Sequence, residues 1–143
     1  MKKTLNSEEL KKLQQIATDM LVKTAEVCEK LGIKYYLCCG TLLGAIRHKG
    51  FIPWDDDVDI EMLREDYERF VKVFSVSEDY VLQTRKTERY YMLPFAKVRD
   101  CHTRLDELGN NVNFRHKGLF VDIFCLERSP RFAYVVFGVA MHI

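Results

Sequence analysis

The stretch Asp57-Val58-Asp59-Ile60-Glu61-Met62 alternates strictly between acidic and large apolar side chains. Successive side chains of a β-strand point to opposite faces. The pattern therefore predicts a strand with one face on an apolar core and a row of carboxylates on the other. A helix would scatter the same residues around its circumference. The strand must belong to a sheet whose second face meets something that offsets the acids.

The rest of the pattern supplies helices for the apolar face. Leu10, Leu13, Ala17, Met20, Thr24, Val27 and Leu31 recur at steps of three and four, which predicts one buried stripe on a long helix. Asn6 with Glu9, or Ser7 alone, suits its start, and Gly32 its end. A buried strand is expected over residues 33–39, broken by Gly40-Thr41, with a short helix over 42–48. Residues 50–54 read as a loop, because Pro53 keeps Ile52 out of the helical region. An amphipathic helix over 64–76 carries Tyr67, Phe70, Val71 and Phe74 on one face. Weaker strands are expected at 80–84, 92–99 and 103–105. A polar stretch over 107–118 turns at Gly109-Asn110-Asn111, and a last strand covers 119–126. This is an α+β arrangement without an internal repeat or linker, read as a single domain over residues 1–143.

Residues 131–143 are almost wholly apolar, yet they are too few to span a bilayer, which takes ~20. They are expected to form a core or membrane-surface helix cut off mid-course, so the domain is expected to be truncated at its C-terminal end. With a net charge of +1, no bulk field argues for nucleic acid or an anionic membrane, and no nucleic-acid partner is expected. Any phosphate must be held by local placement of charge. The five cysteines show no C-x-x-C pair. Cys28, Cys38, Cys39 and Cys125 lie among apolar neighbours, which predicts reduced core thiols rather than disulfides or zinc ligands.

Asp57 and Asp59 share a strand face a few ångströms apart. Like charges that close repel, and a divalent cation resolves the conflict by taking oxygen ligands from both. Asp55 and Asp56 fit a solvated acidic loop. Asp122 sits inside Leu119-Phe120-Val121-Asp122-Ile123-Phe124, where a lone carboxylate is costly unless metal-bound or paired. Its plainer reading is a buried salt bridge to Lys97 or Arg99. Gly40-Thr41, at the mouth of a helix, is a candidate anion turn, since exposed amides there attract phosphate. Arg47, His48 and Lys49 add positive charge downstream, as do Lys97 and Arg99 on a later strand; an ordinary solvated face is the alternative for all of them and the preferred reading for Lys49.

Three other readings compete. A glycosyltransferase also holds a metal with Asp-x-Asp, but usually after a nucleotide-binding half, and only a helix, a strand and a turn precede the motif here. A calcium loop through Asp55, Asp57, Asp59 and Asp66 lacks the required glycine, having Ile60 in its place. A truncated or decayed relative that binds nucleotide or metal without turnover is the third.

The run from Tyr36 through Gly40-Thr41-Leu42-Leu43-Gly44, Arg47-His48-Lys49-Gly50 and Pro53-Trp54-Asp55-Asp56-Asp57-Val58-Asp59 closely resembles the signature of the LicD phosphocholine transferase family, related to fukutin. Leu93-Pro94-Phe95-Ala96-Lys97-Val98-Arg99-Asp100 and Gly118-Leu119-Phe120-Val121-Asp122-Ile123-Phe124 are similar to later blocks of that family. The resemblance implies a nucleotidyltransferase-like mixed β-sheet flanked by helices. It implies Gly40 and Thr41 as the phosphate turn, and Asp57, Asp59 and Asp122 as catalytic ligands of Mg²⁺, with Mn²⁺ as the alternative. Arg47, His48, Trp54, Lys97 and Arg99 are the remaining substrate-binding candidates. The implied reaction moves phosphocholine, or a related polyol phosphate, from CDP-choline or a similar CDP-linked donor to a hydroxyl of a cell-surface glycan. A choline cargo would want an aromatic wall, for which Trp54, Tyr90 and Tyr91 are available, although simple packing explains them too. Cys39 replaces a usual glycine and Cys125 a usual proline, and Leu126-Glu127-Arg128 departs from an acidic follow-on. Without an export signal, the expected location is the cytoplasm, at the inner face of the membrane through peripheral association.

Overall fold

The computed structural model describes residues 5–74, 77–105 and 113–128. Helix α1 (Ser7–Leu31) starts at a complete capping box: Asn6 accepts from the Glu8 and Glu9 amides, and Glu9 accepts from the Asn6 amide. It stops at Gly32, whose left-handed backbone (φ 62°) returns its own N–H to the last turn. Both ends are where the sequence puts them.

Strand β1 (Tyr36–Leu37) is followed at once by helix α2 (Cys39–His48). The expected strand over 33–39 is thus cut to two residues. The helix begins at Cys39, in a positive-φ conformation (48°), so Gly40 and Thr41 form its first turn rather than a break before it. Strand β2 (Asp59–Leu63) runs into helix α3 (Arg64–Val73), whose fully buried Phe70 anchors it. Strands β3 (Tyr80–Gln83), β4 (Ala96–Asp100) and β5 (Phe120–Leu126) complete the set. Residues 92–95, expected in a strand, lie outside β4. Residues 103–105 are not a strand either: Leu105 gives its amide to Lys117 and Thr103 takes that of Leu119, so the segment is tied down by single bonds. The expected turn at 109–111 and the apolar stretch over 131–143 lie outside the described residues.

The five strands form one sheet in the order β1-β2-β5-β4-β3. β2 and β5 are parallel and every other pair is antiparallel, which makes the sheet mixed, as expected. One face is apolar: Val58, Ile60, Met62, Leu82, Ala96, Val98, Val121 and Ile123 pack with Leu13, Ala17 and Met20 of α1 and Phe70 of α3. Burying a side chain of this size contributes about 2 kcal/mol. That contribution holds β2 in register, since a slip by one residue would turn Asp59 and Glu61 into the core; the strand starts two residues later than expected, leaving Asp57 outside it.

Candidate functional site

The other face of the sheet carries the chemistry. Asp59 of β2 lies opposite Asp122 of β5, Asp122 opposite Lys97 of β4, and Lys97 opposite Gln83 of β3. Side chains in register on neighbouring strands stand side by side, so four polar residues form one row across four strands. Lys97 pairs with Asp122 at 2.6 Å, and both are buried. The Lys97 ammonium also sits 3.3 Å from the centre of the Phe120 ring.

Three segments hold Asp59 in place. Its amide donates to Thr41 Oγ1 at 2.9 Å, and its carbonyl accepts from the Cys38 amide. The Asp122 amide, from β5, donates to the Val58 carbonyl just before it. Thr41 therefore uses its hydroxyl to lock the first turn of α2 onto β2. Asp57 stands two residues before the start of β2, and one carboxylate oxygen from each of Asp55, Asp56 and Asp57 falls within 4.8 Å of the other two. Burial pushes the Asp57 carboxyl up to about 6, and the charges of Asp59, Asp55 and Asp56 push the same way. Asp59 is raised by burial and by Asp55, against a lowering by Lys97. Asp122 reaches about 6 because burial outweighs the stabilising charge of Lys97, with Asp59 adding to the rise. Carboxyls that all resist ionisation, each partly through its neighbours, form a site short of positive charge.

Gly40 lies in close approach to the acidic loop. A Cβ there would meet Asp55 Oδ2 at 2.5 Å, so the acidic loop rests against the first turn of α2. From α1, Gln14 secures the loop by donating to the Asp55 carbonyl at 2.8 Å. Sequence reasoning passed over both residues. Asp55 was assigned to solvent, and Gln14 was invisible because its partner is a carbonyl distant in sequence. A polar side chain bordering the apolar stripe at Leu13 and Ala17 was the available hint.

Several expected substrate contacts are placed elsewhere. Arg99 is entirely buried; it donates to Gln83 Oε1 at 2.6 Å and to the Gly118 carbonyl at 2.7 Å. That is a structural position, out of a ligand's reach. Lys97 is engaged by Asp122 rather than open to a phosphate, so the salt bridge weighed as the plainer reading of Asp122 is present, beside Asp59. Arg47 and His48 close the last turn of α2, about 10 Å along the axis from Gly40, where cations favour the helix dipole. Trp54 is 78% exposed beside the acidic loop, whereas Tyr91 is buried against Phe114 and cannot wall a ligand. All five cysteines are free thiols; Cys39 departs from expectation in being exposed.

The arrangement gathers carboxylates at the start of β2, beside the first turn of α2, where they could hold a divalent cation. The carboxylates suit an oxygen-ligated ion such as Mg²⁺. Among the described residues, the carboxylates close enough together to share an ion are those of Asp55, Asp56 and Asp57; the expected set of Asp57, Asp59 and Asp122 is not brought to that spacing, although Asp59 and Asp122 face each other in register.

Comparison with known proteins identifies the family of the chain. Residues 32–132 match the model of the LicD/FKTN/FKRP nucleotidyltransferase domain. The lipopolysaccharide cholinephosphotransferase LicD of Haemophilus influenzae is 37% identical over 131 residues, 90% of this chain and 48% of that protein. Human ribitol 5-phosphate transferase FKRP is 52% identical over 40 residues, 28% of this chain and 8% of its own. Human ribitol-5-phosphate transferase FKTN is 34% identical over 62 residues, 43% of this chain and 13% of its own. The chain spans about half the length of the LicD relative. A match over this span, taking in the acidic loop, β2 and β5 together, places the chain in the LicD/FKTN/FKRP nucleotidyltransferase-domain family.

Proposed function

We propose that the chain is the metal-binding and donor-binding part of a phosphotransferase that moves phosphocholine, or a polyol phosphate, from a CDP-linked donor to a glycan hydroxyl. The observation that carries this reading is the in-register pair Asp59 and Asp122 beside the Asp55–Asp57 cluster. Family membership supports the same reaction class.

In this reading Asp57 and Asp59 hold Mg²⁺, with Asp122 or Asp55 completing the set. The ion supplies neutralisation of donor phosphate charge and a more acidic acceptor hydroxyl. Thr41 fixes the Asp59 backbone so that the carboxylates keep their spacing. Amides of the first turn of α2 receive the donor phosphate. The acceptor oxygen attacks the phosphorus, the bond from phosphorus to the CMP oxygen breaks, and CMP leaves. Asp122, paired with Lys97 and raised to about 6 by burial, takes the hydroxyl proton. Trp54, exposed at the rim, is the available aromatic face for a quaternary ammonium.

Calorimetric titration of the chain with CDP-choline and CDP-ribitol, with and without Mg²⁺, tests the proposal. Binding that requires Mg²⁺ and is lost in Asp59→Asn is expected. Mg²⁺-dependent binding unchanged by that substitution would remove Asp59 from the site. Preference for a UDP- or GDP-sugar would move the chain to the glycosyltransferase reading.

A further inference from the structure

The segment between β3 and β4, residues 84–95, takes no part in the site. It contains Arg85, Lys86 and Arg89 and one carboxylate, Glu88. Glu88 is turned inward: buried, it accepts the Arg115 amide at 3.0 Å and faces Gln83 Nε2 at 3.4 Å. The outer surface of the segment is therefore purely cationic. Its apolar side chains are held out beside those cations. Met92 is 75% exposed and Tyr90 52%, and Leu93 is also exposed. These are large, exposed side chains gathered within four residues.

The segment is built rather than loose. Arg85 donates from Nε to the Leu93 carbonyl at 3.1 Å and from a terminal nitrogen to the Met92 carbonyl at 2.7 Å, pinning the apolar tip to the basic turn. Thr84 and Thr87 knit the turn together through the Thr84 amide, which donates to Thr87 Oγ1 at 2.8 Å. Arg89 lies over the Tyr90 ring at 5.6 Å, a cation on an amphipathic aromatic. The adjoining groove against α3 adds Lys72 and Arg64, the latter paired with Glu127, against a single carboxylate, Glu68.

Exposed Met, Tyr and Leu ringed by Lys and Arg match the interface of an anionic bilayer. There, apolar tips enter the headgroup boundary and cations meet lipid phosphates. We propose that residues 84–95 form a docking surface for an anionic lipid membrane. Charge complementarity selects this occupant over a protein groove, because the sole carboxylate of the segment has been withdrawn from its surface. With a whole-chain charge of only +1, attraction to an anionic surface must come from local patches such as this one.

Co-sedimentation of the full 143-residue chain with phosphatidylcholine vesicles, with or without phosphatidylglycerol, tests the proposal. Binding only to the anionic vesicles is expected, weakening as salt is raised. The double variant Lys86→Glu/Arg89→Glu should weaken it about tenfold or more, and Met92→Asp should weaken it at high salt, with far-ultraviolet circular dichroism unchanged in both. Equal binding to neutral vesicles, absence of binding at low salt, or binding that the variants leave intact would each overturn the proposal. The last outcome would assign the contact to another segment of the chain.

Discussion

Two regions of the same sheet face treat buried charge in opposite ways. On β4 and β3, Arg99 is enclosed, yet its guanidinium meets Gln83 and the Gly118 carbonyl, and Glu88 meets the Arg115 amide. On β2 and its leading loop, Asp55, Asp56, Asp57 and Asp59 crowd together, and burial with mutual repulsion raises both Asp57 and Asp59. Lys97 and Asp122 form the boundary, one ion pair with a foot in each region. A charge whose hydrogen bonds are met by its own chain is architecture. A group of like charges with too little positive charge among its neighbours has its charge requirements unmet by its own chain. Burial alone does not separate the two cases, because the structural Arg99 is the more buried.

The strongest way to break the comparison is at Arg99. Arg99→Met leaves Gln83 Oε1 and the Gly118 carbonyl without their donor, and should lower stability in urea unfolding by about 3 kcal/mol. A change under half that size would mean the network contributes little to the fold. The boundary pair sharpens the contrast. Lys97→Met strands the Asp122 carboxylate and should cost about 2 kcal/mol, much of it restored in Lys97→Met/Asp122→Leu. Strictly additive losses in that cycle would show the two side chains to be uncoupled.

The smallest effect is expected in the acidic region and has the opposite sign. Asp57 holds its proton to about 6 in the folded chain, above its ordinary value of 3.8. The native state therefore binds that proton more tightly than the unfolded chain does. Its stabilising contribution is complete at low pH and disappears as pH rises through about 6. Asp57→Asn should raise the metal-free melting temperature at pH 8 relative to wild type, with little difference near pH 4, while abolishing the gain that Mg²⁺ gives wild type at pH 8. A melting temperature lowered at pH 8 would mean that Asp57 is satisfied without an ion.

Much of the fold was legible because its signals are local. The capping box at Asn6, the stripe ending at Leu31 and the stop at Gly32 need only nearby residues. The alternation through Ile60 identified β2 and the side on which its acids lie. Strand β1 was overestimated because apolar residues over 33–39 fit either a strand or the packing around it; only pairing with β2, limited to two positions, fixes its length. Met92 and Leu93 look like strand residues by composition, but they lie outside β4 and are exposed. Of the site, the acidic residues were visible as a motif, whereas the neutralised Lys97 and the structural Arg99 could not be distinguished from ligand-binding cations.

The amino-acid order by itself determined which residues could form helices and strands, which strand face carries acid, and which carboxylates are costly enough to need an explanation. Those properties follow from spacing and from the free energy of burying apolar groups or charge, both carried by short segments. The tertiary structure alone decided the register that sets Asp59 beside Asp122, the swing of Asp55 against Gly40, and the inward turn of Glu88. Each of these depends on which distant backbone supplies a hydrogen bond, and a partner 27 or more residues away leaves no periodic trace in the chain.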